Sequence, residues 1–170
     1  RIQSTYFTTT WDAAKAQRVS VETHAAAFHL AITKDRKRVL RSQEPSGAGG
    51  VGPRLQFWDP AAGKAVHEFP LDGETYGIVA AISDDQRYLA MTRKAGTEIA
   101  LWDWQDNKEV GVLDFVPETK YDHIRTMEFS PDGKALYVGS SRGNLLVYDP
   151  STKAKVRSWK ACACLLYTSD

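Results

Sequence analysis

Four histidines, two cysteines and 21 acidic residues are the groups through which this chain of 170 residues could bind a metal or move a proton. His24, His29, His67 and His123 are scattered, and no two have the spacing of a metal-ligand pair. Cys162 and Cys164 form a Cys-x-Cys pair near the C-terminus, with no second ligand pair to complete a zinc site. The body of the chain therefore has neither a disulfide framework nor a thiolate centre. No Gly-x-Ser-x-Gly elbow is present, and no cysteine stands beside a histidine that could activate it. The stretch Ser46-Gly47-Ala48-Gly49-Gly50-Val51-Gly52-Pro53 has the glycines of a phosphate cradle. A cradle needs a helix N-terminus after it, whereas Arg54 to Asp59 reads as a strand, and the lysine and hydroxyl of a Walker motif are missing. These observations predict no catalytic residue, no metal site and no cofactor, so the chain reads as a non-enzyme.

The carboxylates carry a different message, because several of them keep a beat. Aromatic-Asp pairs stand at Trp11-Asp12, Trp58-Asp59, Trp102-Asp103 and Tyr148-Asp149, at intervals of 47, 44 and 46 residues. Each is followed by a short turn ending in lysine: Lys15, Lys64, Lys108 and Lys153. A second landmark recurs between them, at Thr33-Lys34-Asp35-Arg36-Lys37, Ser83-Asp84-Asp85-Gln86-Arg87 and Ser130-Pro131-Asp132-Gly133-Lys134. The last of these has type I turn chemistry, with Pro pre-setting φ at its second position and Gly after Asp. A carboxylate that recurs once per unit belongs to the architecture of the unit. The eight aromatic and Asp residues of the four pairs are thus predicted to be structural.

Between the landmarks, apolar residues alternate with period two, which is the pattern of strands. Leu55/Phe57, Ile99/Leu101 and Leu145/Val147 share one face, and Trp58, Trp102 and Tyr148 lie on the other. Strands apolar on both faces are sandwiched between two other sheets. No segment combines sustained helical periodicity with capping signals, so the chain reads as all-β.

Taken in order, Ser-Pro-Asp-Gly-Lys, a strand ending Leu-x-Val-Gly-Ser and the segment Leu-x-Val-Tyr-Asp-Pro-Ser-Thr-Lys resemble the WD-repeat family. The resemblance implies a β-propeller fragment of four-stranded antiparallel blades. It places blades at 24–69, 76–115 and 123–159, and the last two strands of a preceding blade at 4–22, in an open ring. Trp58 and Trp102 should then lie between sheets, where replacement by Ala would cost roughly 3–5 kcal/mol. Departures from the family pattern are visible as well. Its Gly-His is replaced where His24 follows Thr23, Glu74 follows Gly73 and His123 follows Asp122. The Asp of its second-to-third-strand turn gives way to Arg142 and Ala95. The buried polar network of the family should therefore be absent, leaving the blades to apolar packing. The strands nearest the central channel, ending at Ile32, Ile82 and Phe129, should contribute mainly small and apolar groups.

Net charge is only +1, with 22 basic residues against 21 acidic, and no basic block stands out. That argues against nucleic acid as a partner. The longest apolar runs are too short to span a bilayer. The resemblance implies a protein-interaction platform within a larger protein, or the accessory propeller of a multidomain enzyme or regulator. Its partner would meet one rim, where Tyr76, Arg93, Tyr121, His123 and Arg142 are expected; aromatic and arginine residues are the types enriched in interface hot spots. Open blade edges would favour self-association. The closing run 164–170, Cys-Leu-Leu-Tyr-Thr-Ser-Asp, fits no repeat and resembles a translated sequencing adapter, so it is expected to be non-native.

Overall fold

Short two-faced strands joined by tight polar turns favour antiparallel meanders, since each strand finds its partner a few residues away. A computed structural model describes residues 5–12, 14–25, 27–43, 54–71 and 78–161. These form strands and turns throughout, apart from one 3₁₀ turn at Lys94–Gly96. Strands β1 (Thr5–Asp12) and β2 (Gln17–Ala25) make a two-stranded sheet. Next come β3 (Ala27–Ile32), β4 (Val39–Gln43), β5 (Arg54–Asp59) and β6 (Lys64–Pro70), in one four-stranded sheet. The third sheet holds β7 (Ala80–Ile82), β8 (Tyr88–Arg93), β9 (Glu98–Asp103) and β10 (Lys108–Asp114). The fourth holds β11 (Ile124–Phe129), β12 (Leu136–Ser140), β13 (Asn144–Asp149) and β14 (Ala154–Lys160). All pairings are antiparallel and join sequence neighbours. The first strands β3, β7 and β11 are adjacent, so the three four-stranded sheets radiate from a common line like propeller blades.

The recurring Ser/Thr-x-Asp turns share one hydrogen-bond plan. Thr33, Ser83 and Ser130 each donate a hydroxyl to the Asp two residues on, at 2.6, 2.5 and 2.6 Å. The same hydroxyls accept from the N–H of Arg38, Tyr88 and Ala135 at 3.0, 2.8 and 2.9 Å. The carbonyls of Thr33, Ser83 and Ser130 accept from the third residue on, each at 2.8 Å, as a type I turn requires. That third residue is left-handed in all three turns, with φ of 58° at Arg36, 59° at Gln86 and 69° at Gly133. Only the last turn supplies the glycine that this backbone favours.

The four-stranded sheets meet at two apolar interfaces. Leu40, Leu55, Phe57 and Phe69 of the second sheet pack on Leu89, Met91, Ala100 and Trp104 of the third. The other face of the third sheet presents Ala90, Ile99 and Leu101 to Met127, Leu136, Val138, Leu146 and Tyr148 of the fourth. Each middle strand thus serves both neighbours, as alternation demands. Trp102 reaches Phe69 across the first interface, with ring centroids 5.4 Å apart. It and Trp58 are nevertheless only half-buried. The closed position belongs to Trp104, which is buried against Phe57 at 4.5 Å. The cost expected for Trp58 or Trp102 therefore moves to Trp104, because a partly wet ring loses less on truncation.

The first strands β3, β7 and β11 line the central channel. A cavity of about 500 Å³ there is lined by Leu30–Ile32, Ile78–Ile82 and Arg125–Glu128. Strand β11 turns Ile124, Met127 and Phe129 into the core, which leaves Arg125, Thr126 and Glu128 exposed. A register shift between Ile124 and Thr126 places two polar residues in succession on the open side. The lining is mainly small and apolar, as expected, with Arg125, Thr126 and Glu128 as its polar members. Residues 46–53 and 164–170 lie outside the described residues.

Candidate protein-interaction surface

The Asp residues of the repeated pairs hold their turns closed. Asp59 accepts from the N–H of Ala61 and Ala62 at 2.9 and 3.0 Å. Asp149 accepts from the N–H and hydroxyl of Ser151 at 2.8 and 2.7 Å. Asp103 accepts from the N–H of Asp106 at 3.2 Å, and its second oxygen takes a 2.7 Å bond from Arg87 Nε. That bond ties the turn after β7 to the turn after β9. It holds the Asp103 carboxyl below the usual range and pushes the Arg87 guanidinium up. Tyr148 is buried and donates its hydroxyl to the Asp114 carbonyl at 2.8 Å. Burial, and then the charge of Asp114, push that phenol up to about 12. Trp11 and Asp12 lie in β1, with Trp11 opposite Arg18 and Asp12 opposite Gln17.

The rim is organised by a residue that sequence reasoning passed over. Asp122, on the connection from β10 to β11, is buried. Its Oδ1 accepts from the Arg142 N–H at 3.1 Å and from the Ser141 hydroxyl at 3.4 Å. Its Oδ2 accepts from the Glu118 N–H at 3.2 Å and from Asn144 Nδ2 at 3.5 Å. Burial pushes the carboxyl up, but bonds from Ser140, Glu118, Arg142 and Ser141 outweigh it and hold the group below its ordinary value. A buried polar network is therefore present in this sheet, contrary to the expectation of loss. The carboxylate comes from the connecting segment instead of the turn that carries Arg142. Asp122 appeared in the sequence only as the residue that His123 follows, and no local pattern marks it.

The network brings three of the expected rim residues together. His123 is joined to Ser141 twice: its N–H donates to the Ser141 hydroxyl at 3.1 Å, and its carbonyl accepts from the Ser141 N–H at 2.8 Å. The Ser141 hydroxyl also donates to the Tyr121 carbonyl at 3.1 Å. Tyr121 is 62% exposed, with Lys120 Nζ 4.9 Å from its ring centroid. Nδ1 of His123 is buried and without a hydrogen-bond partner among the described residues. The Arg142 guanidinium has no ion pair among the described residues. The 3₁₀ turn of the third sheet touches the same connection: a Cβ added at Gly96 would stand 3.8 Å from His123 Cβ.

Arg93 sits at the margin and is held within its own sheet. Its NH1 and NH2 donate to the two carboxylate oxygens of Glu109 at 3.0 and 3.2 Å, and Nε donates to Glu98 at 3.1 Å. Tyr76 lies outside the described residues. No cluster of three or more His, Cys, Asp or Glu residues able to hold a metal occurs among the described residues. Nor is any helix long and apolar enough to cross a membrane.

No family model and no curated protein sequence matches the chain. Solved structures do. The RRP9 WD40 repeats superpose with a TM-score of 0.59 at 17% identity, over 75% of this chain and 36% of that one. The U3-55K structure gives 0.60 at 17% identity, over 76% and 37%. The fold is that of WD40 propeller blades. Hydrazine synthase from Kuenenia stuttgartiensis is also similar, with a TM-score of 0.57 at 22% identity, over 77% of this chain and 34% of that one. The chain thus spans between 34% and 37% of the length of these structures.

Proposed function

We propose that the chain is a non-catalytic protein-interaction platform, with units 24–69, 76–115 and 123–159 as its blades and 4–22 as the end of a preceding one. A protein partner would meet the rim at Tyr121, His123 and Arg142, with Tyr76 and Arg93 at the margin. The observation that carries this reading is the Asp122 clasp, which ties the connection bearing an exposed tyrosine to the β12–β13 turn bearing an arginine without an ion pair among the described residues. Both residue types supply large contact area, and holding them in place lowers the ordering cost of association. The mainly small and apolar lining of the central channel gives the reading further support.

The test is affinity capture with the intact chain, comparing wild type with a Tyr121→Ala, Arg142→Glu double variant of unchanged melting temperature. Loss of a specific captured protein from the variant is the expected result. An identical set of captured proteins would refute the rim as the binding surface. A second reading, the accessory propeller of a larger enzyme, draws support from the likeness to a hydrazine synthase. Sequencing the source gene through both ends of the fragment separates the two: further repeats alone favour the platform, and a catalytic domain in frame favours the accessory.

A further inference from the structure

The fourth sheet carries a second feature, on its flank. A groove of about 330 Å³ runs between the chain leaving β10 and the strands β13 and β14. That volume is at the lower end of ligand pockets, roughly 300–1,000 Å³. Phe115 and Val116 form one wall, and Val116 is 76% exposed although apolar. Leu146 lies opposite, with Lys155 and Lys160 beside it.

The pairing of β13 with β14 sets which of these side chains lie together. Asn144 faces Lys160, Leu146 faces Ser158 and Tyr148 faces Lys155 across the ladder, so these side chains share one face. It is the face on which Leu146 and Tyr148 enter the core shared with the third sheet. Leu145 and Val147 point the other way. Trp159, which pairs with Leu145, also borders the groove.

Its charge is one-sided. Residues 153–160 include Lys153, Lys155, Arg157 and Lys160 and no acidic residue. The acidic residue in the groove is Glu118, bound to Lys160 at 3.0 Å. Lys155 has no ion pair among the described residues. As the last strand of its sheet, β14 also leaves one row of backbone N–H and C=O groups without a strand partner among the described residues. The corresponding outer strands β6 and β10 contain Glu68 and Glu109, so this arrangement is particular to the fourth sheet.

We infer that this flank binds an acidic, extended segment of a partner protein. One apolar side chain of the segment seats on Phe115, Val116 and Leu146, and its carboxylates meet Lys155 and Lys160. The main chain runs beside the open edge of β14, a mode in which backbone pairing gives affinity and side-chain pockets give selectivity. The site uses none of Tyr121, His123 or Arg142, so it stands or falls apart from the rim.

The test uses the full chain and a peptide labelled at its N-terminus, fluoresceinyl-Asp-Glu-Leu-Asp-Leu-Glu-Asp-amide, followed by anisotropy at low and high salt. Saturable binding that weakens with salt is expected. Replacing every acid by its amide should cost about tenfold or more in affinity, and so should Lys155→Glu or Val116→Asp. Both substituted side chains are exposed, and an unchanged melting curve for each variant excludes loss of the fold. Equal binding of the amide peptide would overturn the proposal, as would unchanged affinity in Lys155→Glu. Displacement by an oligothymidylate at equal charge concentration would also overturn it, by showing a general polyanion surface. Affinity capture at the rim is a separate assay, so either site can fail alone.

Discussion

The two interfaces of the third sheet solve one packing problem with different materials. Toward the second sheet it meets rings: Phe57, Phe69, Trp102 and Trp104 are linked by centroid distances of 4.5 to 5.9 Å. Arg38 stands 5.3 Å from the Trp104 ring centre, and His67 Nε2 is 3.0 Å from Asn107 Oδ1. Toward the fourth sheet it meets mainly aliphatic groups, Ile99, Leu101, Leu113, Leu136 and Val138 among them. That side adds polar ties, the Tyr148 bond to Asp114 and the Asp122 clasp. The repeat therefore specifies which positions are filled, while the filling is free to vary as long as volume and polar satisfaction hold.

Five substitutions sharpen the contrast. Trp104→Ala should be the most damaging, at about 3–5 kcal/mol in chemical denaturation, with Trp102→Ala costing clearly less. Equal losses would mean that the ring cluster has no centre. Next, Asp122→Ala should destabilise by about 2–4 kcal/mol, since it strips partners from several buried donors at once. The folded structure holds this carboxyl below its ordinary 3.8, so its contribution is present above that pH and fades as pH falls through the folded value. The variant should accordingly show a flatter acid limb in a stability-versus-pH curve.

Tyr148→Phe comes third, at about 1 kcal/mol, because the Asp114 carbonyl loses its donor. Here the sign reverses. The phenol is raised from 10.0 to about 12 on folding, so its contribution is intact below pH 10 and is lost between pH 10 and 12. An ultraviolet titration should find one tyrosine ionising late, and that step should vanish in the variant. The smallest effect should be a gain. Gln86→Gly relieves a left-handed φ of 59° in the turn after β7 and should add about 0.5–1 kcal/mol, read as a rise in melting temperature.

The strands and turns were legible because their causes are local. Thr33, Ser83 and Ser130 reach acceptors and donors within five residues, and alternation places Leu55 or Ile99 without knowledge of the neighbouring sheet. Asp122 was not legible, since its partners at Ser141, Arg142 and Asn144 lie 19 to 22 residues away. Trp104 was hidden for a similar reason. It sits in the turn after the aromatic-Asp pair and reads as one more loop residue, until β5 of the adjacent sheet brings Phe57 against it. The proximity of Tyr121, His123 and Arg142 could be expected from their loop positions alone. That Arg93 would be claimed by Glu98 and Glu109 could not, because the pairing spans three strands.

Among the described residues, every strand pairs only with the strand before or after it in the chain. A ribosome making this protein therefore releases each four-stranded sheet as a set of sequence neighbours. Contacts so local favour rapid ordering. The nascent chain can then assemble from its N-terminal side onward, each new sheet docking on a surface already formed.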